Sequence, residues 1–263
     1  MTDAAASSFP LVAVDIGNSR IKFGLFETPP QPGVFPTPSK SASMGPDLPS
    51  SELEEWLNDA AAPRSWLIAS VQRTTAARLM ERLGSRPTRL LQRADLPVTV
   101  DMPRPEQVGI DRLANAVAAN QLRQPDRGAI VIAVGTAIVV DAIACDGTFL
   151  GGAILPGIGM SARALHEFTD LLPLSEMTEL LDAPEPLGKD TIGALRSGLF
   201  WGAVGAMREL TTRLGVRLSR PQVFLTGGAA PSVSDYVSDE TGERAHYVPH
   251  LTLAGIALSA ADT

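Results

Sequence analysis

The most informative stretch of this chain is the segment Val12-Ala-Val-Asp-Ile-Gly-Asn-Ser-Arg-Ile-Lys-Phe-Gly24. An apolar run ends at Asp15, and the chain turns through Gly17-Asn18-Ser19. A run follows in which apolar residues occupy every second position. This pattern predicts two strands, at 10–17 and 20–27, joined by a tight turn. Backbone N–H groups converge in such a turn and can bind phosphate, while the carboxylate at its edge can hold the accompanying Mg²⁺. Because Gly-Asn is common in hairpins, an ordinary hairpin with a capping aspartate is the alternative for this segment alone.

The same pattern recurs in the middle of the chain, in the segment Ile130-Val-Ile-Ala-Val-Gly-Thr-Ala-Ile-Val-Val-Asp141. There an apolar strand again leads into a glycine and a small polar residue, Gly135-Thr136, and a second apolar strand follows. Two such units, each opening about half of the chain, predict two similar half-domains with a nucleotide held between paired phosphate loops. One position breaks the correspondence, because Ala133 stands where the first copy has Asp15.

The composition limits the classes of partner and compartment. The chain has 263 residues, of which 44% are hydrophobic, so it is long enough to bury a full core. Its net charge of −7 and the lack of a basic tract argue against binding to nucleic acid or to an anionic membrane. The single cysteine, Cys145, excludes an internal disulfide and a cysteine-based zinc cluster. Without a signal peptide in residues 1–8 or an apolar run of membrane-spanning length, the sequence predicts a soluble cytoplasmic protein.

Strand and helix signals alternate along the chain and predict an α/β protein with mixed sheets. The Pro-rich segment at 28–38 is predicted to be a surface loop, because proline suits neither a helix interior nor a central strand. A helical pattern that starts at Asp111 closes the first half, which gives predicted domains of residues 1–122 and 123–263. The other predicted helices cover 51–61, 74–83, 160–168, 190–214 and 251–261, and the other predicted strands cover 66–71, 98–102, 140–143, 149–154 and 223–225.

At five points the residues match short motifs of a known family, in the same order and spacing. The chain thereby resembles the type III pantothenate kinases, and the related Bvg accessory factor group, over about residues 10–260. Each motif alone is weak evidence for the family, whereas the five motifs in this order are specific to it. The matching motifs are Asp15-Ile-Gly-Asn-Ser19, Gly109-Ile-Asp-Arg112, Gly135-Thr-Ala137, Gly151-Gly-Ala-Ile-Leu-Pro-Gly157 and Thr226-Gly-Gly228.

The resemblance implies a fold and an activity for the whole chain. The implied fold is that of the acetate kinase, sugar kinase, heat-shock protein and actin superfamily. It has two ribonuclease H-like domains, each a mixed β-sheet flanked by helices, with ATP in the cleft. The implied activity is the ATP-dependent phosphorylation of pantothenate to 4′-phosphopantothenate, the first step of coenzyme A synthesis. The resemblance also implies a homodimer with the pantothenate site at the dimer interface.

The resemblance assigns the two loops to ATP. Asp15 is implied to hold Mg²⁺, directly or through water, while backbone N–H groups of its loop meet the phosphates. The family usually has threonine at the position of Ser19, so the hydroxyl group is kept. Thr136 matches the residue that touches ATP in the second loop, and Gly227 and Gly228 belong to the adenosine region. The ATP-binding residues implied in this way are Asp15, Ile16, Gly17, Asn18, Ser19, Arg20, Ile21, Lys22 and Thr136.

The resemblance also assigns a catalytic base and a substrate site. Asp111 matches the base, which orients the attacking alcohol and accepts its proton, and a helix N-cap is its alternative or additional role. Arg112 is implied to bind the pantothenate carboxylate, with a surface salt bridge as the alternative. Thr191 matches a threonine contributed across the dimer, and capping of a helix is its alternative role. The implied substrate-binding residues are Met102, Gly109, Ile110, Asp111, Arg112 and Thr191.

Two positions depart from the family pattern. Ala133 replaces an aspartate that binds a monovalent cation, K⁺ or NH₄⁺, and a methyl group cannot coordinate an ion. Met102 stands where the family often has a substrate-contacting tyrosine, so it keeps the apolar contact and loses the hydroxyl group. The sequence therefore predicts an active kinase that uses ATP and Mg²⁺ and does not require K⁺.

Two other functions stay open at the level of the sequence. One is a non-catalytic regulatory homologue that binds nucleotide or pantothenate without efficient turnover, which the changes at Ala133 and Met102 favour. The other is a kinase of the same fold that acts on a different small molecule, which a changed pocket at Met102 would permit. The intact set of Asp15, Asp111, Arg112 and Thr136 favours the pantothenate kinase.

Overall fold

In the part of the chain that the structure describes, two five-stranded mixed sheets of the same topology form the framework. The structure is a computed structural model that describes residues 8–48, 50–58, 65–174, 183–218, 220–238 and 242–260. The chain divides into two units: Met1–Leu122 together with His250–Thr263 form the first, and Arg123–Pro249 form the second.

The first unit contains a sheet in the order β3-β2-β1-β4-β5. β1 pairs antiparallel with β2 and parallel with β4, so the carboxyl ends of β1 and β4 lie at the same edge. The predicted strand pair at the start of the chain is therefore confirmed. The strands are β1 (Leu11–Ile16), β2 (Ile21–Phe26), β3 (Lys40–Met44), β4 (Ser65–Ser70) and β5 (Thr88–Leu90).

Helices cover both faces of this sheet, which explains why β1 is buried along its whole length. Val12, Val14 and Ile16 share a core with side chains of α1 and α2. The alternate residues of β1 point to the opposite face. The helices of this unit are α1 (Ser50–Asn58), α2 (Arg73–Leu83), α3 (Ile110–Leu122) and, from the end of the chain, α7 (Leu251–Leu258).

The second unit repeats the arrangement, as the recurring strand-turn-strand pattern predicted. β6 pairs antiparallel with β7 and parallel with β9, as β1 does with β2 and β4. A core of the strand residues Ile130, Ile132, Ile138 and Val140 packs with Phe200 of the long helix α5. The elements are β6 (Ala129–Val134), β7 (Ala137–Ile143), β8 (Phe149–Pro156), α4 (Ile158–Glu167), α5 (Thr191–Gly215), β9 (Gln222–Thr226), α6 (Ala230–Val233) and β10 (His246–Tyr247).

The predicted strand at 98–102 is wrong. These residues form no strand in the structure, and only Val100 makes an isolated bridge. Pro97 and Pro103 flank the segment and cannot donate to a sheet ladder. The segment instead connects two 3₁₀ turns, Arg93–Asp95 and Pro105–Gln107.

The sequence places residues 250–263 in the second half, whereas the structure places them in the first unit. α7 packs on α3 so closely that a Cβ atom added to Gly255 would collide with the carbonyl oxygen of Ala114. The Thr252 hydroxyl also donates a buried hydrogen bond of 2.8 Å to Asn115 Oδ1. These contacts fix the position of α3, which carries Asp111.

The predictions for the Pro-rich segment and for the ends of two helices can be compared with the structure only in part. The Pro-rich segment at 28–38 contains no helix or strand, as predicted. Residues 59–61 of the predicted first helix and residue 261 of the last one lie outside the described ranges. Within those ranges, no helix combines the length and the apolar character that a membrane crossing requires.

Candidate active site

The pairing of β1 with β2 brings Asp15 opposite Lys22. Directly opposite residues of an antiparallel pair project from the same face of the sheet. The Lys22 Nζ atom lies 3.5 Å from Asp15 Oδ2, and the Asp15 side chain is 9% exposed. The four-residue turn between the strands fixes this register, so the pair could have been predicted from the sequence.

Burial raises the pKa of the Asp15 carboxyl above its usual value. The Lys22 ammonium acts in the opposite direction, and the negative charge of Asp111 raises the Asp15 pKa further. Asp15 and Asp111 therefore lie close enough to interact electrostatically. A divalent cation would relieve this repulsion, and Mg²⁺ is commonly held by one or two carboxylates together with substrate phosphates. The chemistry of this pair fits such a cation.

The loop after β1 has the features of an anion-binding turn. Its ends are closed by a hydrogen bond of 3.0 Å from the Gly17 N–H to the Arg20 carbonyl oxygen. The intervening Asn18 and Ser19 are exposed. The predicted ATP-binding residues Ile16 and Ile21 are fully buried, so only their backbone atoms can contribute.

Asp111 lies in the first turn of α3, one residue after the helix begins at Ile110. The capping position belongs to Gly109, whose carbonyl oxygen accepts hydrogen bonds from the N–H groups of Arg112 (3.1 Å) and Leu113 (3.3 Å). The alternative role of Asp111 as an N-cap is therefore wrong. Among the described residues, its carboxylate has no hydrogen bond or ion pair, which leaves its oxygens available to a substrate.

Gly109 leaves the space that the Asp111 carboxylate occupies. A Cβ atom added at residue 109 would lie 2.5 Å from Asp111 Oδ1. Replacing Gly109 by alanine is therefore expected to displace the carboxylate and to lower kcat by about 10- to 100-fold. Steady-state kinetics measure the effect, and Gly45→Ala, where an added Cβ meets no atom within 4 Å, is the matched control. Full activity of Gly109→Ala would contradict this role.

The other predicted substrate-binding residues of the first unit differ in how far they are buried. Ile110 is buried with 6% exposure, whereas Arg112 is partly buried. Met102 is partly buried in the connection between the two 3₁₀ turns. Arg93, in the first of these turns, donates a hydrogen bond of 2.7 Å from Nε to the carbonyl oxygen of Val108, which follows the second turn.

The second unit builds its own loop from Gly135 and Thr136, between β6 and β7. The Gly157 N–H donates to the Thr136 carbonyl oxygen at 3.0 Å, and a Cβ atom at residue 157 would collide with Gly135. On the other side, Gly227 has a φ of +104°, and a Cβ atom there would collide with the backbone of Val134. Glycine is thus required at both supports of the predicted second phosphate loop.

Thr191 and Ala133 also lie in the second unit. Asp190 caps α5 by accepting a hydrogen bond of 2.7 Å from the Gly193 N–H, so the alternative role of Thr191 as the cap is wrong. Thr191 occupies the first helical position and is exposed. Ala133 is partly buried in β6, where its strand neighbours are Val139 and Thr226.

A residue outside the predicted set also contacts the first loop. Gln72, which follows β4, donates a hydrogen bond of 3.0 Å from Nε2 to Asn18 Oδ1. The two residues are far apart in the chain, and no local pattern at Gln72 signals the contact. Only the parallel pairing of β1 with β4 brings them together.

Comparisons with known proteins agree with this geometry. A model of the type III pantothenate kinase family matches residues 11–213. The chain is 32% identical to the type III pantothenate kinase of Desulfosudis oleivorans over 260 residues, covering 94% of this chain and 96% of the other.

Two solved structures share the fold at lower sequence identity. A Campylobacter jejuni protein assigned to the Baf family of transcriptional activators gives a TM-score of 0.61 at 18% identity, covering 94% of this chain and 96% of the other. The activator of the 2-hydroxyisocaproyl-CoA dehydratase from Clostridium difficile, with bound ADPNP, gives a TM-score of 0.51 at 15% identity. The latter match covers 96% of this chain and 94% of the other.

Proposed function

This chain belongs to the type III pantothenate kinase family, and from that membership we infer that it transfers a phosphoryl group from ATP to pantothenate. The product is 4′-phosphopantothenate, which places the reaction at the first step of coenzyme A synthesis. The observation that carries this function is the family match over residues 11–213, which includes both Asp15 and Asp111. The fold is that of the acetate kinase, sugar kinase, heat-shock protein and actin superfamily.

Asp111 is proposed as the general base. Its carboxylate orients the primary hydroxyl group of pantothenate and accepts the hydroxyl proton. The hydroxyl oxygen then forms a bond to the γ-phosphorus while the bond to the β,γ-bridging oxygen breaks, and ADP leaves with that oxygen. The electrostatic interaction between Asp111 and Asp15, which contributes to the raised pKa of Asp15, supports the proposal that both carboxylates act in one site.

Asp15 is proposed to hold Mg²⁺, directly or through water. When bound, the cation neutralises charge on the phosphate oxygens. Lys22 favours the ionised form of Asp15, which is the form that binds a cation. The loop at residues 17–20 is proposed to bind the phosphates through its polar side chains and through the N–H groups other than that of Gly17, which closes the loop. Thr136 is proposed to contact ATP as well.

The substrate site is proposed to include Arg112, which would bind the pantothenate carboxylate through a charge-assisted hydrogen bond. Gly109 and Ile110 would offer backbone atoms, and Met102 an apolar contact. Thr191 is proposed to reach the substrate from the second subunit of a dimer. The cytoplasmic location expected from the sequence is part of the same proposal, because the reaction consumes cytoplasmic ATP.

The proposed homodimer is supported by apolar groups exposed in the second unit. Phe168 (84%), Leu171 (87%) and Leu187 (75%) expose most of their side chains, and Ile192 at the start of α5 exposes 51%. Large apolar side chains with this much exposure are frequent at protein interfaces. Three exposed glycines of α5 also face open space and would let another helix approach closely, namely Gly198, Gly202 and Gly205.

We expect the protein to sediment with about twice the 27.7 kDa mass of one chain. Ile192→Glu would bury a charge in the interface and should give monomers with reduced activity. Val216→Glu is the matched control, because Val216 is 80% exposed at the far end of the same helix. Equal sedimentation of wild type and both variants as monomers, with full activity, would contradict the dimer.

Ala133 leads to a prediction about monovalent cations. The aspartate that the family uses is missing, so replacing Na⁺ by K⁺ is expected to change kcat by less than about twofold. A K⁺ titration at constant ionic strength measures this directly. Activation by about tenfold or more would show that other groups hold the cation.

The two alternative functions are tested with a panel of substrates. Nothing in the site supports a non-catalytic regulator, because both carboxylates that the transfer needs are present. ADP release is measured with pantothenate and with other primary alcohols, and 4′-phosphopantothenate is identified by mass spectrometry. Transfer to another alcohol in preference to pantothenate would move the substrate assignment and leave the kinase class intact.

A further inference from the structure

Gln72 occupies the N-cap position of α2, but its side chain does not cap the helix. Its backbone is extended, with φ −126° and ψ 95°, and its side chain makes no hydrogen bond to the helix. Serine, threonine, aspartate or asparagine usually fills this position and binds an exposed N–H group of the first turn. The side chain of Gln72 therefore serves something other than the helix.

That side chain reaches the first phosphate loop. Gln72 Nε2 donates a hydrogen bond of 3.0 Å to Asn18 Oδ1. The backbone beneath Gln72 is held in place on two sides. The Val71 N–H donates to the Ile16 carbonyl oxygen at 3.0 Å, and the Gln72 N–H donates to Ser70 Oγ at the same distance. The Ser70 hydroxyl in turn donates to the Gln72 carbonyl oxygen at 2.9 Å.

The contact selects one orientation of the Asn18 carboxamide. A carboxamide has one accepting oxygen and one donating NH₂ group, on opposite sides. Because Gln72 occupies the oxygen, the NH₂ group of Asn18 is directed away from Gln72 and is available to an acceptor. Phosphate oxygens are acceptors only, so the orientation that Gln72 selects is the one that suits a phosphate.

We propose that Gln72 is a positioning residue that orients the Asn18 carboxamide so that its NH₂ group donates to the phosphates of the nucleotide. The inference rests on the proposed function, because it takes the loop at residues 17–20 to bind ATP. It goes beyond the family match by assigning a role to a residue outside the five motifs.

Two substitutions at Gln72 distinguish the loss of its contact with Asn18 from a reversed orientation of the Asn18 carboxamide. Gln72→Ala is expected to raise the KM for ATP by about three- to tenfold, while kcat and the KM for pantothenate change by less than about twofold. Gln72→Glu keeps the shape but can only accept, so it should turn the Asn18 oxygen toward the phosphates and raise the KM for ATP further. Thr74→Glu adds the same charge at an exposed position of α2 and is the matched control.

A double-mutant cycle tests whether Gln72 acts through Asn18. In an Asn18→Ala background, the substitutions at Gln72 are expected to have no further effect on the KM for ATP. Melting temperatures of all variants should stay close to that of the wild type, because the contact is exposed. If Gln72→Glu and Thr74→Glu raised the KM for ATP equally, the added negative charge alone would explain the effect and the inference would be overturned.

Calorimetry with Mg²⁺ and a non-hydrolysable ATP analogue gives a readout independent of turnover. If the wild type is active and the Gln72 variants bind the analogue as tightly as the wild type, the inference is overturned and the proposed function stands. If the variants bind the analogue more weakly but the wild type never phosphorylates pantothenate, the inference stands and the proposed function fails.

Discussion

Replacing Asp111 by asparagine is expected to lower kcat by about 10²- to 10⁴-fold, with little change in the KM for ATP. The amide has nearly the shape of the carboxylate but cannot accept the proton of the pantothenate hydroxyl group. Because the Asp111 carboxylate has no hydrogen bond or ion pair among the described residues, the substitution should leave the fold intact. Steady-state kinetics with each substrate varied in turn measure the effect.

The control for this variant is Glu106→Gln, which removes an exposed carboxylate from the neighbouring 3₁₀ turn. It should keep wild-type activity and the wild-type melting temperature. If Asp111→Asn retained kcat within about tenfold of the wild type, Asp111 would not be the base.

Replacing Asp15 by asparagine is expected to lower kcat/KM by about 10²-fold or more and, at the same time, to stabilise the protein without Mg²⁺. The loss of activity follows from the loss of a carboxylate that would hold the cation. The gain in stability follows from burial, which makes the charged form of Asp15 unfavourable in the folded state.

The sign of the pH dependence follows from the raised pKa of Asp15. Between the ordinary pKa of an aspartate and the raised value, the folded state binds the proton more tightly than the unfolded state. Stability is therefore highest below the ordinary pKa and declines as the pH rises through the raised one. Asp15→Asn lacks this decline, so its melting temperature should exceed that of the wild type at neutral pH.

Melting curves over a pH series, without Mg²⁺ and without nucleotide, check this expectation. Lys22→Met is a useful companion, because loss of the ammonium group should raise the pKa of Asp15 further and make the total decline larger than in the wild type. A lower melting temperature for Asp15→Asn at neutral pH would mean that the ion pair with Lys22 outweighs burial.

The geometry of the hairpin that carries Asp15 could be predicted from the sequence because its parts are close along the chain. One hairpin carries Asp15, its loop and Lys22, and the register of a short antiparallel pair follows from the loop length. The second copy of the pattern predicted the repeated sheet for the same reason. The family motifs located Asp111 without any knowledge of the distance between α3 and β1.

The rest depends on contacts between distant segments. The packing of α7 on α3 rests on the close approach of Gly255 to Ala114, which no local pattern reveals. β3, β5 and β10 are short or polar edge strands, whose pairing depends on the strand beside them. Gln72 meets Asn18 only because β4 is parallel to β1.

Phosphorylation of pantothenate is tested by a coupled assay of ADP release by the purified wild-type protein with ATP, Mg²⁺ and pantothenate, with and without each component. We expect ADP release that depends on pantothenate, with one 4′-phosphopantothenate formed for each ADP. Binding of ATP or pantothenate without any such turnover would contradict it and would identify the chain as a regulator on a kinase fold.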